Sequence, residues 1–284
     1  MEIFKTGKHL QAHIEKLKLK KLKIGFVPTM GALHDGHLSL VAAAAKENDA
    51  VLVSIFVNPT QFNKPDDLKN YPRDVESDIK MLENSGCDMV FIPAVNEIYP
   101  DQDSMKINYN FGKIVEIMEG KHRPGHFDGV AMVVSRLFQI TKPDNAYFGQ
   151  KDFQQFILIK TLADKYLSDL NINVVRCPII REKDGLAMSS RNVLLKKDQR
   201  ISTALISKIL FDAKNNYSNF SVKELKERIK ATINSDRNLK LEYIEIVSDP
   251  ELNEIISWDN EQKMVACIAV QVGDVRLIDN IYLN

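Results

Sequence analysis

The chain has 284 residues, of which 44% are hydrophobic and 27% charged, with 38 basic side chains balancing 38 acidic ones. That length suggests one large or two modest domains, and that composition excludes wholesale disorder. A net charge of zero argues against a protein whose main task is gripping nucleic acid, while leaving room for small anions at a local positive site.

The N-terminus has no apolar core of signal-peptide length, and its basic run Lys16–Lys23 reads as the solvated end of a helix. No stretch reaches the roughly 18 apolar residues of a membrane span. Short β-rich runs follow at Ile24–Val27, Val51–Val57, Met89–Ile92, Ala146–Phe148 and Val174–Cys177. Helical patterns lie between or after them, at Leu38–Asn48, Val75–Ser85, Val130–Ile140 and Phe153–Leu167. "VLVSIFV" (51–57) is almost wholly apolar, as a strand is when helices cover both faces of a parallel sheet. Val130, Val133, Val134, Leu137 and Phe138 recur at helical spacing and are expected in the core. The alternation predicts a doubly wound, Rossmann-like α/β domain with a parallel sheet over residues 1–179.

After Ile180 the texture changes. "REKDGLAMSSRN" (181–192) reads as a polar loop, two helices are expected near Ala204–Asn215 and Val222–Ile233, and three strand-like runs close the chain around a Gly273-Asp274 hairpin signal. Residues 180–284 are therefore expected to form a smaller α+β domain. Cys87, Cys177 and Cys267 make no CxxC pair, zinc framework or disulfide ladder, which suits a reducing cytoplasm.

Ligands of open α/β sheets sit beyond the carboxyl ends of the strands. After the first run comes "PTMGALHDGH" (28–37), without GxGxxG or a P-loop. His34 and His37, three apart at a helix start, suit phosphate oxygens held by a helix N-terminus. Two solvated histidines near a cap, or a metal pair still wanting a third ligand, are the alternatives. Gln61 follows the second run and can bind a hydroxyl or a carboxylate, or simply be solvated. "KHRPGHFDGV" (121–130) places Arg123 and His126 at another helix start, as an anion-binding flap or as ordinary surface. Lys151 and Asp152 follow the fourth run; Asp152 can be an N-cap, but a lysine beside a positive helix N-terminus calls for an anion. "MSSRN" (188–192) offers two hydroxyls and a guanidinium, a phosphate clamp in composition.

Taken together, "HDGH" resembles the HIGH motif of nucleotidylyl transferases, and "MSSRN" their KMSKS loop. The fuller set, with "FVNPTQF", "YPRD", "RPGHFDGV", "FGQKDFQQ" and "REKDGLAMSSRN", resembles the pantothenate synthetase (pantoate–β-alanine ligase) family along the whole chain. The resemblance implies a ligase that joins pantoate to β-alanine through a pantoyl adenylate, releasing pyrophosphate and AMP, with Mg²⁺ accompanying ATP. It implies an ATP site of Met30, Gly31, Ala32, Leu33, His34, Asp35, Gly36 and His37, with Gly149, Gln150, Lys151, Asp152, Ile180, Met188, Ser189, Ser190 and Arg191. His37, His34, Lys151, Ser189, Ser190 and Arg191 would be the catalytic set. Asp152 would hold the ribose, Lys151 the phosphates, and the Ile180 backbone the adenine. Gln61 and Gln155 would hold pantoate, with Gln61 also touching β-alanine; Arg123 would be a flap residue, and Asp78 would approach the metal. Position 150 is Gln where many relatives carry Glu, with little consequence expected. A cytoplasmic homodimer is implied, with no nucleic-acid or membrane partner. The "EKDG" stretch (182–185) is expected to be flexible, letting the second domain close as a lid over the labile adenylate. The rivals are another adenylyl transferase, which would join a phosphate to AMP, and a non-catalytic nucleotide-binding regulator.

Overall fold

Apolar runs too short for helices and buried on both sides join into one parallel sheet. The computed structural model describes residues 1–62, 65–101, 109–258 and 261–284. They divide into two compact units: residues 1–149 with 154–178, and residues 150–153 with 179–284.

In the first unit, in chain order, lie β1 (Glu2–Phe4), α1 (Gly7–Leu19), β2 (Ile24–Thr29), α2 (Asp35–Glu47), β3 (Ala50–Ile55), α3 (Pro65–Asn70) and α4 (Val75–Leu82). They are followed by β4 (Met89–Phe91), α5 (Val95–Ile98), α6 (Met118–His122), α7 (His126–Thr141), β5 (Asn145–Gly149), α8 (Phe153–Thr161) and β6 (Asn173–Cys177). The strands run in the order β1-β4-β3-β2-β5-β6, every neighbouring pair parallel. The chain winds outward from β2 through β3 to β4, then returns to β5 on the other flank of β2. The crevice of a doubly wound sheet therefore opens at the carboxyl ends of β2 and β5.

All six residues of β3 are buried, as the almost wholly apolar run predicts. The stripe Val130, Val133, Val134, Leu137 and Phe138 on α7 is buried throughout. α2 begins at Asp35, ahead of the expected Leu38, because its first turn is set by polar capping and its apolar period starts only afterwards. Its far end is tied to β5: the Tyr147 hydroxyl donates to Glu47 and accepts from Asn48 Nδ2, both at 2.7 Å, and Asn145 Nδ2 donates to Asn48 Oδ1. α8 stops at Thr161 and passes into a π turn, Leu162–Tyr166, so the expected continuous helix to Leu167 is broken.

The second unit contains α9 (Lys197–Ser202), α10 (Ala204–Asn216), α11 (Val222–Asn234), β7 (Leu239–Asp249), β8 (Lys263–Val272) and β9 (Val275–Tyr282). The strands form an antiparallel sheet in chain order, and Val272 faces Val275 across the Gly273-Asp274 turn, the expected two-residue hairpin. α11 opens with a capping box: Ser221 Oγ accepts from the Glu224 N–H while Glu224 accepts from the Ser221 N–H. Its Val222, Leu225, Ile229 and Ile233 form the buried stripe that meets β7–β9. Among the described residues no helix is long and apolar enough to cross a membrane.

Candidate active site

β2 delivers the chain to the crevice, and α2 leaves it with its N-terminus there. His34 is the N-cap of α2: its Nδ1 accepts from the Gly36 N–H at 3.1 Å. His37, at the third helical position, accepts from the His34 N–H through its own Nδ1 at 3.3 Å. The two imidazoles close a capping box of the kind usually built from Ser and Glu, with ring centroids 4.1 Å apart. An accepting Nδ1 leaves the proton of a neutral ring on Nε2, so both rings are fixed in one tautomer with Nε2–H as donor. The helix N-terminus adds its partial positive charge. Both features favour a phosphate over a metal, which would compete for the same nitrogens.

The loop before α2 needs an anchor, since Gly31 and Ala32 both lie in the left-handed region, at φ +79° and +49°. Asp78, on α4 and 2% exposed, supplies it, accepting from the N–H groups of Ala32 at 3.0 Å and Leu33 at 2.7 Å. Burial pushes its carboxyl pKa up, the two N–H groups pull it back, and Asp74 adds to the rise. A Cβ at Gly31 would stand 2.9 Å from Asp78 Oδ2, so this position needs glycine for both space and backbone. Asp78, expected to approach a metal, here accepts from the backbone of Ala32 and Leu33. Among the described residues no three His, Cys, Asp or Glu side chains converge as a metal site. On the far side of the loop lies a cavity of about 210 Å³, walled by Phe56, Val57, Pro93 and Ala94 and reached by Met30, Gly31, Arg73 and Asp78, but lined by neither histidine nor Gln61.

Gln61 ends a 3₁₀ turn, Pro59–Gln61, after β3, and is 8% exposed. Its Oε1 accepts from Asn58 Nδ2 at 3.2 Å and its Nε2 lies against Met30 Sδ, so the structure brings two predicted site residues together. Asn58 organises this turn. It is 1% exposed, donates to the Gly129 carbonyl, and accepts from Tyr99 and Thr60. α7 comes so close that a Cβ at Gly129 would stand 2.5 Å from the Thr60 carbonyl oxygen. His126, at the start of α7 and buried, makes a bond from Nδ1 to the Gln61 carbonyl at 2.9 Å and another from Nε2 to Arg123 Nη1 at 3.0 Å. A carbonyl only accepts and a guanidinium only donates, so His126 is neutral with its proton on Nδ1. Arg123, expected on a flap, is held by His126 and lies 3.7 Å from Glu119. Of the neighbouring glutamines on α8, Gln154 is spent on the Glu119 N–H and the carbonyls of Ile114 and Ile117. Gln155 is half-buried. A Cβ at Gly149, the last residue of β5, would meet nothing within 4 Å, so a ligand can approach its backbone closely.

The remaining predicted residues belong to the second unit. Gln150, Lys151 and Asp152 form a 3₁₀ turn, with Lys151 Nζ 3.4 Å from Asp152. Ile180 accepts from the Met188 N–H at 3.0 Å, and Arg181 bridges Ala187, so the 181–187 stretch is a small hairpin rather than an open loop. Ser189 caps a 3₁₀ turn, Ser190–Leu194, by accepting from the Arg191 N–H. Glu182–Gly185, expected to be flexible, is tied by several side-chain bonds within the second unit. Arg200 binds Asp184 through both terminal nitrogens and Glu182 at 2.6 Å, while Asn192 donates to Glu182 at 2.6 Å. Arg200 holds the Asp184 carboxyl below its ordinary range. Burial pushes the Cys87 thiol to about 12 and that of Cys177 to about 11, which leaves both thiols inert.

A sequence profile of pantoate–β-alanine ligases matches residues 2–282. The chain belongs to the pantoate–β-alanine ligase family. It is 45% identical to the pantothenate synthetase of Porphyromonas gingivalis, over 281 residues and 99% of each chain. The crystal structure of pantothenate synthetase from Thermus thermophilus superposes with a TM-score of 0.91 at 36% identity, over 100% of this chain and 99% of that one. The pantoate–β-alanine ligase of Francisella tularensis, in complex with beta-gamma ATP and β-alanine, superposes at 0.82 with 41% identity, over 100% and 98%. The protein is accordingly a ligase. Within the family frame, the sequence left Asn58 and Asp78 without their positioning tasks, although "NPTQF" and "VESD" were in view. It also left out Asp279 and Asn280, for which it carries no local signal.

Proposed function

We propose that this chain condenses pantoate with β-alanine in two steps. The pantoate carboxylate, already ionised, attacks the α-phosphorus of ATP; a P–O bond forms, pyrophosphate leaves, and pantoyl adenylate remains. The β-alanine amine then attacks the acyl carbon, the C–O bond to AMP breaks, and the amine proton is released as the amide of pantothenate forms. Neither step needs a strong base at the carboxylate. Both need two anions aligned and phosphate charge neutralised. His34 and His37 would donate from Nε2, and Lys151, Ser189, Ser190 and Arg191 would act on the phosphates. Asp152 would hold the ribose, the Ile180 backbone the adenine, and Gln61 and Gln155 the pantoate. Gln61 would also meet β-alanine, and Arg123 would act on the phosphates through the flap.

Magnesium would arrive on the phosphates of ATP, which suits an ion that keeps its waters and seldom sits in an all-protein cage. When bound it neutralises phosphate charge. We assign ATP and pantoate binding to residues 1–179, and read 180–284 as a lid, in a cytoplasmic homodimer. The observation that carries the reading is the pair of capping histidines at the crevice of a chain that the family matches from end to end. Labelled pyrophosphate should exchange into ATP in the presence of pantoate and Mg²⁺ without β-alanine, and adding β-alanine should yield pantothenate and AMP. Exchange that ignores pantoate, or none from folded protein that binds ATP, would reject the assignment.

A further inference from the structure

Gln150–Phe153 belongs to the second unit, although the chain on both sides of it builds the first. Asn280, in β9 and 2% exposed, ties it there. Its Nδ2 donates to the carbonyls of Gln150 and Lys151, both at 2.9 Å, and its Oδ1 accepts from Gln150 Nε2 at 3.1 Å. These partners fix the orientation of the amide, since turned over it would aim Oδ1 at two carbonyl oxygens. The ring of Tyr282, two residues on in the same strand, meets Phe153 edge-on with centroids 6.4 Å apart.

The preceding residue extends the chain of contacts. Asp279, 3% exposed, takes the Arg181 guanidinium in a bidentate grip at 2.6 and 3.0 Å and accepts from the Asn280 N–H at 2.8 Å. Arg181 also donates to the Gly185 carbonyl, in the turn that leads into Met188–Arg191. An unbroken run of bonds thus joins the Lys151 backbone to the Arg181–Gly185 turn that precedes Met188–Arg191. Gln150, where the family resemblance led to an expectation of little consequence, is one of its members.

We propose that Asn280 is a positioning residue for Lys151, and that the Arg181–Asp279 pair sets Asn280, so that Lys151 and Ser189–Arg191 are held as one group of phosphate-binding side chains. The proposal rests on the reading above that Lys151 acts on the phosphates. A lysine on a free turn would spread its ammonium over many positions. Fastening two consecutive carbonyls beside it restricts where the side chain starts, and misplacement of about 1 Å can cost on the order of 100-fold in rate.

The test is a double-mutant comparison by pantoate-dependent pyrophosphate exchange. Lys151→Ala is expected to lose on the order of 10²–10³ in rate. Asn280→Ala is expected to lose roughly 10–100-fold in kcat, with the pantoate KM within about twofold. In the Lys151→Ala background, Asn280→Ala should change the residual rate by less than about twofold, because the group it positions is gone. An Asn280→Ala enzyme at full rate, or one that loses the same factor in both backgrounds, overturns the proposal. A fully active Lys151→Ala would instead reject the assignment of Lys151 itself. Should Asn280→Ala melt early, Gln150→Leu removes only the bond to Oδ1, and its smaller loss must likewise vanish when Lys151 is absent.

Discussion

Asp78 and Asp184 each hold a loop that carries predicted site residues, and they do it by opposite physics. Asp78, in the first unit, is buried and grips backbone N–H groups. Its charge is costly in that setting, so it keeps its proton to higher pH than in the unfolded chain. Asp184, in the second unit, is more than a third exposed at its side chain and is paired with Arg200, which draws its proton off more easily. One loop is shaped by a desolvated acceptor and the other by an ion pair that salt can screen. The histidine-end loop is thus held by backbone hydrogen bonds, whereas the turn before Met188–Arg191 is held by a local ion pair.

The largest expected effect tests the histidine end at its tip. His37→Ala removes both the capping acceptor and the Nε2 donor, and should lower the exchange rate on the order of 10²–10³-fold, as the loss of an oxyanion donor does. Thermal melting should report only the lost cap, roughly 1 kcal/mol. Next, Gly129→Ala forces a methyl against the Thr60 carbonyl and should cost about 1–3 kcal/mol. Because the displaced turn carries Gln61, a raised pantoate KM should accompany the lower melting point, and an unchanged KM would detach Gln61 from pantoate.

Asp78→Asn swaps one of two acceptors for a donor facing an N–H, at about 1–3 kcal/mol. The sign of its pH dependence follows from the raised value. The contribution of this carboxyl is fully present below the ordinary 3.8 and is lost as pH rises through the folded-state value. Wild type should therefore gain on the variant as pH falls through that window, measured as urea midpoints across acid buffers. Arg200→Leu should show the reverse at smaller amplitude. The Asp184 contribution is present above 3.8 and is lost as pH falls through the lowered value. The gap between wild type and variant should close in acid, stay within about 1 kcal/mol and shrink with added salt. Parallel pH slopes for the two variants would erase the contrast between the loops.

Much of this was legible in the sequence because it is written locally. "VLVSIFV" reads as a buried strand wherever it sits, and the α7 stripe needs only helical spacing. β1 was missed because its three residues, Glu2–Phe4, are largely exposed and carry no apolar run. The starts expected for α4, α8, α10 and α11 match the structure, whereas α2 begins three residues before the expected Leu38 because its capping side chains, His34 and His37, do not share the apolar period. Motif and position single out the two histidines, Lys151 and the Ser189–Arg191 segment as candidates. They do not single out the supports. Asn58 looks like any loop amide until Gly129 is seen beside it, and Asn280 lies far along the chain from the carbonyls it holds. Residue type and spacing reveal groups that can face a ligand; the bonds that steady those groups come from residues adjacent only after folding.

The squeeze between α7 and the Thr60 turn has an evolutionary reading as well. Every non-glycine amino acid that a codon change can place at 129 brings at least a Cβ, and a Cβ is already too much there. A side chain at 129 is costly unless the Pro59–Gln61 turn shifts with it. A saturation library selected for growth without supplied pantothenate should thus be enriched in glycine at 129, with alanine next and larger side chains depleted. Variety should gather instead at exposed positions such as Leu19 and Ile256, where nothing close by judges the side chain.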